Sequence, residues 1–535
     1  MAWLDTGFRR ATSLSLVAAL LVSGCSGSAP SNASAPGSGE VVVFADFAEP
    51  SVLNPVLSTE SPRVSHLIFD SLVSADPQTG TPVPSLAESW EMSADGLTVT
   101  FHIRPNVTWS DGQPFSADDA RFTFDAIRNP PNASPFKANF DQIASVNTPD
   151  PLTLQVTLKA PTCAFLLNAM SIGILPEHVL GKLADLRQDA LNFNQQPTTG
   201  TGPFVYSERQ KGDHITLVAN PRYWRGRPKF DEWIFKVVPD ANVEVVQLET
   251  GEVDYAIVQP DAMDELQAAG LNLQTYFGRG YDFIAYNLQR PFFQDPRVRQ
   301  ALTYALDRRQ IVEQVLFGQG RLVDSPIPSI SWAYNGSLPG YTYNLDTART
   351  LLAEAGWTPG ADGTLRKGDQ AFQFTLDTNS GNKVRGADTV IAQAQFKKLG
   401  IDVQPETLEL SAFNQKVRTR RDFDAAVYGV TTDLDPDQTA TWSSSQAANS
   451  PNFIGYSNPA VDDLLRQAAT VRGCGLPTRT QLYASFQKIL ADDQPYTFLY
   501  ARKTVLAVNK RIDGIAPSGW AGDESGIQTW VVGPR

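Results

Sequence analysis

Cysteine and histidine are scarce, three and four in 535 residues. His66, His102, His178 and His214 are scattered, with no HExxH pair and no carboxylate at ligand spacing, so a metal centre built by the chain alone is not expected. No CxxC pair, GxSxG elbow or GxxxxGK[ST] phosphate loop occurs, which removes the usual redox, acyl-transfer and nucleotide-binding signatures. The nearest glycine-rich stretch, "TGTGPF" (199–204), lacks the lysine and the spacing and reads as a turn entering a strand. A basic excess is also missing. Lys and Arg total 44 against 57 Asp and Glu, a net charge of −13, which argues against nucleic acid as partner. Beyond the N-terminus no apolar run approaches the roughly 20 residues a bilayer span needs. Carboxylates are plentiful, and two of them brought together in space would suffice for glycoside hydrolysis. An exported hydrolase is therefore the alternative of another class.

The N-terminus carries a signal instead. Arg9 and Arg10 precede an apolar segment, 14–22, interrupted only by Ser15 and too short to cross a membrane. It ends in Val22-Ser23-Gly24-Cys25, which resembles the bacterial lipobox. The expectation is a lipoprotein signal peptide over 1–25, lipid on Cys25, and a flexible Ser/Gly/Ala/Pro linker over 26–39. That places the chain on the extracytoplasmic face of the cell membrane. Cys163 and Cys474 remain, to be read either as one disulfide or as two separate buried thiols.

The body reads as α/β, and its length calls for more than one lobe. "LTVTFHIRP" (97–105) alternates Leu97, Val99, Phe101 and Ile103 against polar residues, a half-buried strand with His102 on the polar face. "LTLQVTLKAP" (152–161) repeats the pattern with Leu152, Leu154, Val156 and Leu158. Between them Ser116 caps a helix, with Asp119 in the capping-box position. The stretch 295–318 predicts one long helix, capped by Asp295, with Pro296 in its first turn and Gly318 at its end. Val298, Ala301, Leu302 and Ala305 mark its buried face.

These segments add up to a resemblance. "PSLAESWEMSADGLTVTFHIRPNVTWSDGQPFSADDARFTFDAI" (84–127), "PFFQDPRVRQALTYALDRRQIVEQVLFGQG" (291–320), "YNLDTARTLLAEAGW" (343–357), "AQAQFKKLGIDV" (392–403) and "LYASFQKILADDQPYTFLY" (482–500) are similar to the peptide/nickel-type solute-binding proteins of ABC importers. The likeness runs in register over everything after the linker. It implies a two-lobed, type II periplasmic-binding-protein-like α/β fold, hinged around a ligand cleft, with an additional inserted domain. Lobe one would take 40–80, 198–278 and 496–535, the inserted domain 81–197, and lobe two 279–495. It also implies a receptor and not an enzyme, working as a monomer without cofactor, with a peptide as ligand and permease subunits plus cytoplasmic ATPases as partners.

Site residues follow only by that resemblance. In "YGVTTDLDPD" (428–437), Asp433 falls where dipeptide-binding relatives hold the ligand's α-ammonium, with Val430 in place of a Trp. Read without it, Asp433, Asp435 and Asp437 are a solvated acidic turn. Thr59, Leu410 and Phe413 fall at pocket positions, although core packing accounts for the last two equally well. "DTNSGNK" (377–383) lacks the arginine that clamps a dipeptide's carboxylate, and Arg385 matches a helix-start arginine instead. Peptides longer than two residues are thereby expected. Oligosaccharide or chelated-metal binding is the alternative within the fold, with Trp332, Tyr334 and Trp442 as stacking surfaces for a sugar.

Overall fold

Everything in the body hangs on one mixed sheet of twelve strands. The structure, a computed structural model, describes residues 40–60, 62–170, 172–444 and 451–535. Cys25, the signal segment 1–25 and the linker 26–39 lie outside the described residues. The strands are β1 (Val41–Asp46), β2 (Phe204–Gln210), β3 (His214–Ala219), β4 (Glu232–Val237), β5 (Tyr255–Val258) and β6 (Asn272–Phe277). They continue with β7 (Gly280–Tyr286), β8 (Gly320–Leu322), β9 (Gln373–Asn379), β10 (Asp402–Leu408), β11 (Ala425–Thr431) and β12 (Tyr496–Val508). The order is β10-β9-β11-β7-β12-β5-β1-β4-β3-β2, with β6 and β8 pairing β12 off this path.

β12 is the piece shared by two half-sheets. Its first residues, from Tyr496 to Arg502, pair antiparallel with β7 and β8, and from Lys503 to Val508 it pairs with β6 and β5. The change of partner falls at Arg502–Lys503, inside the strand. Four hydrophobic clusters fill the two sides of the two half-sheets, and β12 contributes to all of them. Leu506 and Val508 enter one cluster, Val505 and Ala507 a second, Leu499 and Tyr500 a third, Tyr496 and Phe498 the fourth. Its sequence, YTFLYARKTVLAV, is apolar at both ends and polar at the crossing.

A separate four-stranded antiparallel sheet runs Ala87–Met92, Thr98–Ile103, Thr153–Leu158, Ile143–Asp150 in spatial order. Period 2 decides its faces: Val99, Phe101 and Ile103 are buried, and so are Leu154, Val156 and Leu158. His102 sits on the open face, 3.8 Å from Glu91. Leu152 departs from the expected pattern. It precedes the strand and is 40% exposed, because the chain is still turning at 151–152. The helix Ala117–Arg128 covers this sheet, and Asp119 accepts a hydrogen bond from the Ser116 amide at 2.9 Å, as the capping box requires. One continuous cluster joins this sheet to β1 to β5.

The expected single helix over 295–318 is two helices, Pro296–Ala305 and Arg308–Gln314. Asp307 divides them by accepting from the Gln310 amide at 3.1 Å, a cap that competes with helix continuation. The break lets Arg308 turn inward, where its guanidinium donates to the carbonyls of Val323 (2.9 Å), Phe498 (2.7 Å) and Tyr341 (2.6 Å). "TGTGPF" is the expected turn into β2. A Cβ on Gly200 would sit 2.1 Å from the Ile68 carbonyl oxygen, so only glycine passes the end of the helix Pro62–Ile68 this closely.

Of the two readings of Cys163 and Cys474, the disulfide is the one found. It ties the loop after Thr153–Leu158 to the turn between the helices Pro459–Ala469 and Leu476–Asp493. Around it the Cys163 amide donates to the Ala469 carbonyl (2.9 Å) and Arg472 Nε to the Ala94 carbonyl (2.6 Å). Non-reducing peptide mapping is expected to recover the two cysteines as a linked pair. The Cys163→Ser/Cys474→Ser protein should lose about 2–4 kcal/mol in denaturant unfolding. An unshifted midpoint would deny the bridge a part in stability.

Candidate ligand-binding cleft

Where β12 changes partners lies a cleft of about 870 Å³, within the roughly 300–1,000 Å³ typical of ligand sites. It is lined by the turn from β6 to β7, the end of β11, Arg502 and Thr504 of β12, the segment around the helix Pro62–Ile68 and the loop 518–528. Its lining includes five arginines (63, 225, 279, 385, 502) and four carboxylates (70, 282, 523, 524).

Two ion clusters hold most of that charge. On β7, Asp282 is shared by two arginines, accepting from Arg385 Nε at 3.0 Å and from Arg502 Nε and Nη2 at 2.8 and 2.9 Å. Gly429 of β11 makes room for them, since a Cβ there would come within 2.3 Å of Arg385 Nη2 and 2.6 Å of Asp282 Oδ1. Arg385 is presented by the helix Lys383–Lys397, and Asn382 caps that helix by accepting from the Arg385 amide (3.1 Å). One turn on, the Tyr500 hydroxyl donates to Asp388 Oδ2 at 2.5 Å. Burial pushes the Asp388 carboxyl up to about 7, against the lowering effect of that bond.

In the second cluster one arginine serves two acids. Arg63 Nη2 donates to Asp523 Oδ2 at 2.8 Å, and Nη1 to Glu524 Oε1, which also accepts from the Tyr255 hydroxyl at 2.8 Å. Arg63 stacks 4.2 Å from the Phe44 ring centroid. Burial works to lower its pKa, yet the adjacent Glu524 and Asp523 hold it raised. Nearby, burial lifts Asp70 to about 6, opposed by the Trp224 Nε1 hydrogen bond (2.9 Å) and Arg225.

Of the residues taken from the resemblance, Thr59 lines the cavity. Asp433 does not; it is exposed and its charge acts on Arg279, whose Nη1 donates to the Thr432 carbonyl. Phe413 is fully buried in a core cluster, stacked on Tyr428 with centroids 5.5 Å apart. Leu410 opens the helix Leu410–Asn414, is 52% exposed and lies outside the lining. The acidic turn divides its labour. Asp435 is buried against Arg479 (2.6 and 2.9 Å), and Asp437 accepts from the Thr439 amide and hydroxyl. Trp442 is core, and neither Trp332 nor Tyr334 reaches the cavity. Asp282, Arg502, Arg63, Asp523 and Glu524 were not found from sequence. The polar RKT interrupting β12's apolar run was the one available signal.

The model of the bacterial extracellular solute-binding proteins, family 5 (Middle), matches residues 81–452. The chain belongs to this family. It is 35% identical over 530 residues to "Oligopeptide-binding protein AppA" of Bacillus subtilis, covering 95% of this chain and 96% of that one. The structure of that protein in complex with a nonapeptide superimposes with a TM-score of 0.76, covering 93% of this chain and 99% of the other at 33% identity. NikZ of Campylobacter jejuni in complex with Ni(L-His) gives 0.78 at 29% identity, covering 92% and 99%. DppA of Helicobacter pylori with the peptide STSA gives 0.74 at 27%, covering 93% and 98%. This family 5 protein is therefore an extracytoplasmic, two-lobed substrate receptor of an ABC importer, and its site binds without catalysing a reaction.

Asp388 makes the receptor's stability depend on pH. Its folded pKa, about 7, lies above the ordinary aspartate value of 3.8, so between these values the native state holds more protons than the unfolded one. Stability from this group is present in full below about pH 4 and is lost as pH rises through 7. Asp388→Asn should remove that loss. Urea unfolding at pH 5 and pH 8 should show a smaller decline in the variant than in wild type, and equal declines would refute the assignment.

Proposed function

We propose that this receptor captures oligopeptides longer than a dipeptide between its two lobes and hands them to the permease of its importer. The observation that carries this is the cavity itself, whose lining brings together Arg385 and Arg502 at Asp282 and Asp523 and Glu524 at Arg63. A peptide of any sequence brings an ammonium, a carboxylate and main-chain donors and acceptors, so a cleft lined by charges of both signs holds it without reading its side chains. The full-length likeness to a relative named as oligopeptide-binding supports the same class. Closure follows as thermodynamics: a ligand touching both walls favours whichever arrangement lets it touch both. Thr59 belongs to the cleft wall in this reading, and Asp433 neutralises Arg279 at its edge.

The second element of the proposal is the anchor. The apolar segment ending at Cys25 supports lipidation there, with 26–39 as spacer to the membrane.

Mass spectrometry of the ligand released on denaturing protein purified from its own cells tests the first element. Peptides of three or more residues are expected, and a sugar or a metal chelate would replace the reading. For the anchor, Cys25→Ser should leave the membrane fraction or accumulate as a longer precursor. Unchanged fractionation and migration would dismiss the lipid.

A further inference from the structure

The two half-sheets carry separate bodies, and the chain passes between them at two neighbouring places. One is the turn from β6 to β7, the other the crossing inside β12. Phe277 pairs with Lys503 and Asp282 with Tyr500, so the two crossings lie side by side. Both line the cleft, through Gly278, Gly280 and Arg502. Two adjacent strands of this kind form a line about which the bodies can swing.

The disulfide joins the same two bodies at a third place. Cys163 is followed by Phe165 and Leu167, which belong to the hydrophobic cluster shared by the four-stranded sheet and β1 to β5. Cys474 precedes the helix Leu476–Asp493, which packs with β7, β11 and the first residues of β12. Neither cysteine lines the cleft, so this link stands apart from the two crossings.

Both ends of the link are anchored. Cys163 is buried, and its amide is held by the Ala469 carbonyl across the junction. On the other side Arg479, in the first turns of the helix after Cys474, is buried against Asp435 at 2.6 and 2.9 Å. The Cα atoms of the two cysteines are 5.3 Å apart. A disulfide tolerates Cα separations of only about 4.4–6.8 Å, so at this point the bodies can part by no more than about 1.5 Å unless packed elements give way. Bodies joined along a line and again at a point outside it lose most of their freedom to swing.

We infer that the Cys163–Cys474 bridge is a stop on opening: it caps how far the two lobes part and thereby slows the exchange of ligand. This rests on the closure proposed above.

Small-angle scattering of ligand-free protein tests the stop directly. The Cys163→Ser/Cys474→Ser protein, and wild type reduced with a phosphine, should both show a larger radius of gyration than oxidised wild type. Reoxidation of the reduced protein should restore the smaller value. Release of a fluorescent nonapeptide pool should be about fivefold faster without the bridge, with association little changed. Leu490→Ala controls for lost stability, because it removes buried contacts from the cluster around that helix and leaves the bridge intact. It should match oxidised wild type in both measurements. Equal radii or equal release rates with and without the bridge overturn the inference, and so does an equal gain in Leu490→Ala. Reduced wild type decides the matter if the double variant does not fold. Bound nonapeptides that shrink neither form remove closure and the stop together, whereas shrinkage from equal ligand-free radii removes the stop alone. If no nonapeptide binds, the peptide reading falls and the ligand-free radii still decide the bridge.

Discussion

The backbone of one strand has to satisfy two half-sheets at once. Every amide and carbonyl buried in β12 needs a partner, and β7 and β8 supply partners for one end while β5 and β6 supply them for the other. Because each half of the strand also feeds cores on both of its faces, no part of it can shift register without exposing apolar surface. The crossing between the halves is the one stretch freed from that double burial. It is there that Arg502 and Thr504 face the cavity. The position of the cleft is thus a consequence of how the sheet changes partners.

Within the cleft, recognition and stability draw on the same groups. Asp282 pairs with Arg385 and Arg502, on which the buried Asp388 carboxyl also acts, and Arg63 pairs with Asp523 and Glu524. In the reading proposed above, charges of both signs in one cleft favour a solute that itself carries both. Family 5 relatives hold solutes as different as a nonapeptide and Ni(L-His).

How much of this was legible in the sequence depended on the range of the interaction. Alternation in 98–103 and 153–158 and the Ser116–Asp119 box are local, and they predicted strands, faces and a helix start. The break at Asp307 was missed because it is stabilised from elsewhere, by Arg308 reaching carbonyls at 323, 341 and 498. Family resemblance led to Thr59 and to the two-lobed fold. It also pointed to Phe413 and Leu410, one of which packs in the core while the other faces solvent. Asp523 and Glu524 were invisible for a physical reason. They are isolated acids in a loop, and they become a site only when topology brings them to Arg63, some 460 residues away along the chain.

The bridge from Cys163 to Cys474 spans 311 residues. A chain delivered outside the cell N-terminus first presents Cys163 to the oxidant long before its partner emerges. During that interval the only other cysteine outside is Cys25, so the first bridge available is the wrong one. Alkylation of the Cys25 sulfur by a lipid turns it into a thioether and withdraws it from exchange. The anchor proposed for the N-terminus would then also serve oxidative folding, leaving two thiols with one way to pair.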